Sequence, residues 1–208
     1  GAFGAELDSI ENGDEVKARR GVSGVYAVDK GVAVLADNPW RAEQAVRALK
    51  FSAKAHDNDS MNTESLLTAQ REALKAKLST NFELGDVSLA MADAGHQVTA
   101  EYVVPYLAHA TMEPMNATVW QQDDKMHVQC GVQNPLMARK KVASVAGIDL
   151  DDVVIHACTM GGGFGRRVGV GMTNDPLDWL QQAVQLHKES GEAIKMTWSR
   201  AMDMRTDV

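Results

Sequence analysis

The chain contains little cysteine, with only Cys130 and Cys158 among its 208 residues. Two distant cysteines cannot supply the CxxC pairs that hold structural zinc or iron–sulfur clusters. The six histidines are scattered, without the paired spacing of a metal site. The sequence therefore predicts no direct metal ligands. It predicts two buried thiols, with a disulfide between neighbouring strands in an oxidising compartment as the alternative.

Long apolar runs and an excess of positive charge are also missing. No run approaches the roughly 20 apolar residues that a membrane-spanning helix requires. The chain has 28 acidic and 21 basic residues, and its net charge of -7 argues against binding nucleic acid by neutralising phosphates. Hydrophobic content of 45% and charged content of 24% are typical of a globular chain, and the length allows two small domains.

Turn signals and apolar spacing in the first half of the chain predict a β-β-α unit followed by a second helix. Pro39 suits the first turn of the first helix, and Asn62 or Thr63 caps the second. The predicted elements are two strands in residues 24–38 joined at residues 29–31, helices in residues 38–50 and 62–78, and loops at residues 52–60 and 79–86.

The second half predicts alternating strands and helices. Residues 97–104 alternate like a strand until Pro105 interrupts them. After Pro105 we expect two strands in residues 116–134, joined at residues 123–125, and then a helix that starts at Pro135 and ends before Gly147. A strand in residues 151–160 and a glycine loop follow. The last two elements are a helix that Asp175 caps, Pro176 opens and Gly191 ends, and a strand in residues 193–199. This order predicts an α+β (mixed α/β) fold.

The stretch TMGGGFGRR, residues 159–167, carries the most chemical information. Adjacent glycines adopt positive φ and let a ligand approach backbone N–H groups, which can hold oxyanions. The loop has no Gly-Lys-Ser/Thr ending and no GxGxxG window opening into a helix, so it is neither a P-loop nor a Rossmann fingerprint. Two interpretations stay open on the loop alone: an anion-binding backbone, or a glycine-rich turn whose arginines face water.

Three stretches in order resemble the large subunit of the molybdenum hydroxylases, the xanthine dehydrogenase and aldehyde oxidase family. They are PYLAHATMEPMNATVW at residues 105–120, QNP at residues 133–135 and GGGFGRR at residues 161–167. The chain is most similar to the isoquinoline 1-oxidoreductase β-subunit type, and residues 31–50 resemble the end of that family's α/β hammerhead domain. The resemblance implies a partial hammerhead domain and following helical linker in residues 1–94. It implies the N-terminal part of the molybdenum cofactor-binding domain in residues 95–208.

The resemblance also implies a cofactor and partners. The cofactor is molybdopterin with molybdenum, in the cytosine dinucleotide form usual in bacterial members, and it inserts a water-derived oxygen into an N-heterocycle or an aldehyde. Electrons leave through two [2Fe–2S] clusters on another chain or domain. The implied partners are the rest of the molybdopterin-binding subunit, an iron–sulfur small subunit and a small-molecule substrate. The implied location is periplasmic or membrane-associated, and otherwise cytoplasmic.

Site residues follow from the resemblance position by position. Gln133 matches a glutamine whose side-chain amide approaches an oxygen ligand of molybdenum, and Phe164 and Gly165 match the loop pair beside the metal. Such amides donate to an oxygen without adding charge. The predicted cofactor-binding residues are Gln133, Gly162, Gly163, Phe164, Gly165 and Arg166.

Charged residues near these positions have alternative roles. Arg166 and Arg167 replace the Gly-Lys of xanthine dehydrogenases, and a guanidinium suits a phosphate or pterin oxygen. The alternative for both is an ion pair or solvent. Glu113, in the MEP motif, is interpreted as a structural residue rather than the catalytic base.

The sequence departs from the family pattern in ways that predict a fragment. The family's general base is a glutamate in a Gly-x-Gly-Glu stretch of a much longer polypeptide, and this sequence has no such stretch. We expect both ends to be cut, the isolated chain to be inactive, and another chain to complete the enzyme. One alternative is a stand-alone binding or assembly module that kept the scaffold. Another is an unrelated nucleotide enzyme, which the missing P-loop and GxGxxG signatures disfavour.

Overall fold

The computed structural model describes residues 5–76, 79–169 and 177–207. The chain divides into two compact units: Gly1–Asp59 with Leu107–Val208, and Ser60–Tyr106. The predicted family domains, residues 1–94 and 95–208, stay a prediction. The elements of the first unit are β1 (Leu7–Ile10), α1 (Gly13–Lys17), β2 (Val22–Val28), β3 (Gly31–Ala36), α2 (Pro39–Ala48), β4 (Phe51–Ala53), β5 (Asn116–Gln122), β6 (Lys125–Cys130), α5 (Pro135–Ala146), β7 (Val153–Ala157), α6 (Asp178–Ser190), β8 (Ile194–Thr197) and α7 (Arg200–Arg205). The second unit holds α3 (Thr63–Leu74) and α4 (Val87–Ala92), and short 3-10 turns lie at Asp57–Ser60 and Leu150–Asp152.

The largest sheet has the strand order β7-β6-β5-β8. β5 pairs antiparallel with β6 and β8, and β6 pairs parallel with β7. Asp123 and Asp124 both have positive φ in the predicted β5–β6 turn. Alternate residues of β5 and β6 are buried, as expected of strands with one face on a core. The core includes Met115, Val119, Val128, Trp179 and Leu180. This mixed arrangement confirms the predicted α+β fold.

The β2–β3 hairpin forms as predicted and joins the main core. Tyr26, Ala33 and Leu35 pack against the core of the four-stranded sheet. At the hairpin turn, the Gln182 side chain donates to the Asp29 carbonyl at 2.7 Å, and the Gln185 side chain accepts from the Asp29 N–H at 2.9 Å. A smaller core of Val16, Ala45 and Leu49 lies beside the hairpin.

Helix ends follow local signals. Asn38, Asn62 and Asn134 accept hydrogen bonds from backbone N–H groups in the first turns of α2, α3 and α5. Gly147 and Gly191 adopt the left-handed conformation after α5 and α6, as the sequence predicts. The predicted start of α6, Asp175 and Pro176, lies outside the described residues, as do residues 77–78 at the end of the predicted second helix.

Three secondary-structure predictions were wrong. Residues 97–104 form no strand within the described ranges, because alternation without a hydrogen-bonding partner does not make a ladder. Val98 and Tyr102, on the face that the alternation predicts to be covered, are 93% and 88% exposed. α4 forms where no helix was predicted, and part of β4 lies in a predicted loop.

The unit Ser60–Tyr106 has little internal packing. None of its described residues is buried. α3 carries a capping box between Asn62 and Ser65, and Arg71 pairs with Glu101 at 2.7 Å. Exposed ion pairs of this kind contribute at most about 1 kcal/mol. This unit therefore has no hydrophobic core of its own among the described residues.

The two cysteines lie on neighbouring segments and are free thiols. The Cys158 N–H donates to the Cys130 carbonyl at 3.0 Å, just beyond the end of β7. Burial of Cys130 confirms its prediction, whereas the prediction for Cys158 was wrong, since Cys158 is exposed. Burial raises the pKa of the Cys130 thiol to about 12, and the nearby Cys158 acts in the same direction.

We expect iodoacetamide to modify Cys158 and to spare Cys130 in the folded chain at neutral pH. The thiolate is the reactive species, and Cys130 is both inaccessible and protonated. Peptide mass spectrometry after brief labelling measures the two sites separately, and labelling in denaturant provides the control. Equal native labelling of both cysteines would contradict the burial of Cys130.

Candidate functional site

The glycine loop follows β7 and has an unusual backbone. Gly162, Phe164 and Gly165 have φ values of 102°, 53° and 106°. A phenylalanine in the left-handed region is strained, and such strain is concentrated at functional sites. The Phe164 side chain is 74% exposed at the loop. The loop thus keeps the Phe164 ring exposed to solvent, at the cost of a strained backbone conformation.

Gln133 organises the loop from the segment between β6 and α5. Its N–H donates to the Arg167 carbonyl at 3.0 Å. Its Oε1 accepts from the Gly165 N–H at 3.0 Å and from the Arg167 N–H at 3.2 Å. Two N–H donors at one atom identify that atom as the oxygen. The Nε2 group makes no hydrogen bond among the described residues and lies on an exposed residue, so its donors can serve a ligand.

Three consecutive backbone N–H groups in the loop are also available. The N–H groups of Gly162, Gly163 and Phe164 make no hydrogen bond within the described part of the chain. Gly163 is buried, and a buried N–H is rarely left without a partner in a native protein. With the Gln133 amide, these groups form a set of donors without formal charge. This set can donate hydrogen bonds to an oxygen-rich group.

Glycine is required in this loop for close approach as well as for positive φ. A Cβ on Gly163 would lie 2.7 Å from Gln133 Oε1. A Cβ on Gly161 would lie 2.6 Å from the Glu113 Cβ and 3.2 Å from the Glu113 N atom. The loop therefore packs directly against the two residues that hold it.

Glu113 holds the start of the loop through its carboxylate. Oε2 accepts from the Gly161 N–H at 2.9 Å, and Oε1 accepts from Asn116 at 2.8 Å and from Arg167 at 3.1 Å. Burial acts to raise the pKa of Glu113, but the hydrogen bonds from Gly161, Asn116 and Arg167 outweigh it and leave the pKa below its usual value. An ionised carboxylate with these partners fits the interpretation of Glu113 as a structural residue.

Arg167 is completely buried beneath the loop. Its guanidinium donates to the Glu113 carbonyl at 2.7 Å and to the Gly131 carbonyl at 3.1 Å, besides its ion pair with the Glu113 carboxylate. The sequence left two roles open for Arg167, binding of a phosphate or pterin oxygen and an ion pair or solvent, and the structure shows an ion pair. Arg167 links the loop, the residue after β6 and the segment before β5.

Arg166 is 5% exposed and faces carboxylates. Its Nε lies 3.3 Å from the nearest Asp207 oxygen and 4.0 Å from Asp203, and its guanidinium lies over the Trp198 ring at 5.6 Å. Burial raises the pKa of Asp203, and Arg166 and Arg200 oppose this shift. Arg166 thus makes internal ion pairs, and its assignment as a cofactor-binding residue stays a prediction.

The sequence-based site prediction missed His109, Asp203 and Asp207. Asp207 accepts a hydrogen bond from the His109 backbone N–H, and its Oδ1 lies 2.8 Å from the ring Nδ1 of His109. Asp203 lies on α7 and Asp207 lies two residues beyond the end of that helix, and no motif in the sequence links them to His109. Their partner, Arg166, could not be found from spacing, because it comes from a distant segment.

The structure brings the predicted site residues into one loop cluster. Gln133 contacts Gly163, Gly165 and Arg167. The Phe164 ring lies 3.1 Å from the position that a Cβ on Gly162 would take. Their assignment to cofactor binding stays a prediction. The described residues contain no cluster of three or more His, Cys, Asp or Glu side chains suited to a metal, and no described helix has the length and apolar composition to cross a membrane.

Comparison with known proteins gives consistent matches. A family model described as "Molybdopterin cofactor-binding domain" matches residues 70–208. The chain is 25% identical to the β-subunit of isoquinoline 1-oxidoreductase from Brevundimonas diminuta, over 94% of this chain and 26% of that protein. It is 29% identical to one subunit of nicotinate dehydrogenase from Pseudomonas putida, over 79% of this chain and 14% of that protein.

A solved structure shares the fold. The crystal structure of quinoline 2-oxidoreductase from Pseudomonas putida 86 superposes with a TM-score of 0.69 at 16% sequence identity, over 98% of this chain and 30% of that one. The chain thus spans about a quarter of the length of the isoquinoline 1-oxidoreductase β-subunit. Since the family model covers more than half of the chain, including Gln133 and the glycine loop, the chain belongs to the molybdopterin cofactor-binding domain family of the molybdenum oxidoreductases.

Proposed function

We propose that this chain forms the part of a molybdenum hydroxylase that holds the metal end of molybdopterin, in an enzyme that hydroxylates an N-heterocycle or oxidises an aldehyde with water-derived oxygen. The observation that carries the proposal is the donor set at the loop: the free Gln133 Nε2 and the N–H groups of residues 162–164. Two relatives of the chain are named for isoquinoline and nicotinate, which supports a heterocyclic substrate.

The residues present fit an oxygen-rich cofactor. The buried Gly163 N–H lacks a partner among the described residues, and a Cβ at this position would clash with Gln133. Gln133 and the loop amides would hold oxygen atoms of the cofactor, with the Phe164 ring beside them. Uncharged donors held in advance stabilise developing negative charge without reorganisation. When bound, the cofactor supplies the two-electron chemistry, and this chain supplies position and polarity.

Further features of the enzyme belong to the same proposal. We propose the cytosine dinucleotide form of the cofactor, [2Fe–2S] clusters on a partner chain, and a general base outside this chain. The isolated chain is then inactive. A location in the periplasm or at a membrane stays a proposal from the family resemblance.

Purification from the native source with its partners tests this function. We expect the intact masses to include a larger partner chain, and we expect molybdenum and iron in the complex. Molybdenum analysis and intact-mass spectrometry of the same fraction provide the two readouts. If the chain runs alone and free of metal, the catalytic proposal fails for this polypeptide, and the alternative of a binding or assembly module is favoured.

A further inference from the structure

His109 lies beside the glycine loop, outside the set of site residues that the sequence predicts. A Cβ on Gly165 would lie 3.5 Å from His109 Nε2. The imidazole is 29% exposed, so it is neither buried in the core nor free in solvent. The absence of a side chain at Gly165 leaves open the space in front of this nitrogen. Nε2 makes no hydrogen bond among the residues that the structure describes.

Asp207 holds the His109 ring in one orientation. Its Oδ1 lies 2.8 Å from His109 Nδ1, and its Oδ2 accepts from the His109 backbone N–H. The Asp207 side chain is 2% exposed and pairs with the Arg166 guanidinium at 3.3 Å. A buried carboxylate paired with a guanidinium acts only as an acceptor. In the neutral ring, the Nδ1 atom of His109 therefore carries the proton, and Nε2 presents a lone pair.

We propose that His109 is a binding residue of the loop site, with Asp207 as its positioning residue. His109 Nε2 accepts a hydrogen bond from an N–H or O–H group of the molecule held against Gly165. This inference rests on the proposed function, and it adds an acceptor to a site whose other groups donate.

The presence of both hydrogen-bond donors and an acceptor at this site limits the chemical classes of ligand that can satisfy it. Gln133 Nε2 and the loop amides require acceptor atoms, whereas His109 Nε2, beside Gly165, requires a donor atom. A fully deprotonated oxyanion such as sulfate satisfies only the amides, because it carries no N–H or O–H group. A ligand that bears both acceptor oxygens and N–H or O–H groups satisfies both sets. The site therefore fits a ligand that carries both hydrogen-bond acceptors and donors, rather than an anion that only accepts.

The tautomer of His109 gives a test that needs no cofactor. Long-range ¹H–¹⁵N NMR of the 208-residue chain is expected to show a protonated Nδ1 and an unprotonated Nε2. Asp207→Ala removes the acceptor at Nδ1 and is expected to shift the ring toward the Nε2–H form. An Nε2–H tautomer in the unaltered chain would overturn the inference. This result does not depend on whether any variant folds.

Cofactor retention gives the second test. In the assembled enzyme, His109→Phe removes the acceptor and keeps a planar ring, and we expect molybdenum to be lost about tenfold faster on desalting, the factor that one hydrogen bond commonly represents. The matched control is His96→Phe, at an exposed histidine, with retention unchanged. Gln133→Ala, measured in parallel, reports on the proposed function itself.

The outcomes separate the two proposals. If Gln133→Ala accelerates metal loss and His109→Phe does not, the proposed function stands and the His109 inference is overturned. If neither variant accelerates metal loss, both are overturned. If both accelerate it and His96→Phe does not, the inference is supported.

Discussion

Replacement of Arg167 by methionine is expected to lower the free energy of unfolding by about 2–3 kcal/mol, because loss of the buried side chain leaves its carbonyl acceptors unpaired while the Glu113 carboxylate is partly exposed to solvent. Arg167 is 0% exposed and donates to the Glu113 carboxylate and to the carbonyls of Glu113 and Gly131. Methionine fills part of the volume but leaves these acceptors unpaired. Urea unfolding followed by tryptophan fluorescence measures the change.

Arg47→Met is the matched control for this experiment. Arg47 lies on α2 and pairs with Glu43, but its side chain is 69% exposed. A solvent-exposed pair at i,i+4 spacing contributes about 0.3–0.5 kcal/mol. Equal destabilisation by the two variants would show that Arg167 does not hold the loop as the structure indicates.

Substitution of Gln133 is expected to have the largest effect on function. Gln133→Ala removes the acceptor for the Gly165 and Arg167 N–H groups together with the free Nε2 donors. In the assembled enzyme we expect loss of bound molybdenum and a fall in turnover of about a hundredfold or more, typical for removal of one preorganised donor. Molybdenum per chain and steady-state rates with heterocycles and aldehydes provide the measurements.

Gln133→Glu separates the two roles of this side chain. Glutamate retains an oxygen that accepts from the loop, but it replaces the Nε2 donors with a second, negatively charged oxygen. We expect the glutamate variant to fold with near-normal stability and to lose molybdenum like the alanine variant. Normal metal content and turnover in both variants would remove Gln133 from the site.

Local signals in the sequence predicted much of the fold. The β2–β3 hairpin, the β5–β6 hairpin, the Asn134 cap and the Gly191 end of α6 all follow from residues within a few positions of each element. These features depend on backbone conformations that particular residue types favour. They are predictable because each is determined within a single turn or cap.

Prediction failed where a partner from elsewhere decides the structure. Residues 97–104 have the alternation of a strand, yet no described strand pairs with them. The sequence predicts a buried Cys158, yet this residue lies just past the end of β7, where the backbone leaves the sheet and exposes it. Periodicity reports which side chains share a face but not whether that face is covered.

The sequence by itself determined the glycine loop, its position after a strand, and the resemblance that links it to molybdopterin. Glycine chemistry is local, since a missing Cβ permits positive φ and close approach wherever the loop lies. Only the tertiary structure decided what surrounds the loop. It placed Gln133 Oε1 on two loop amides, buried Arg167 against Glu113, and brought Asp207 to His109 across 98 residues of sequence. These groups are distant along the chain, and the packing of the β7-β6-β5-β8 sheet on its helices selects their partners.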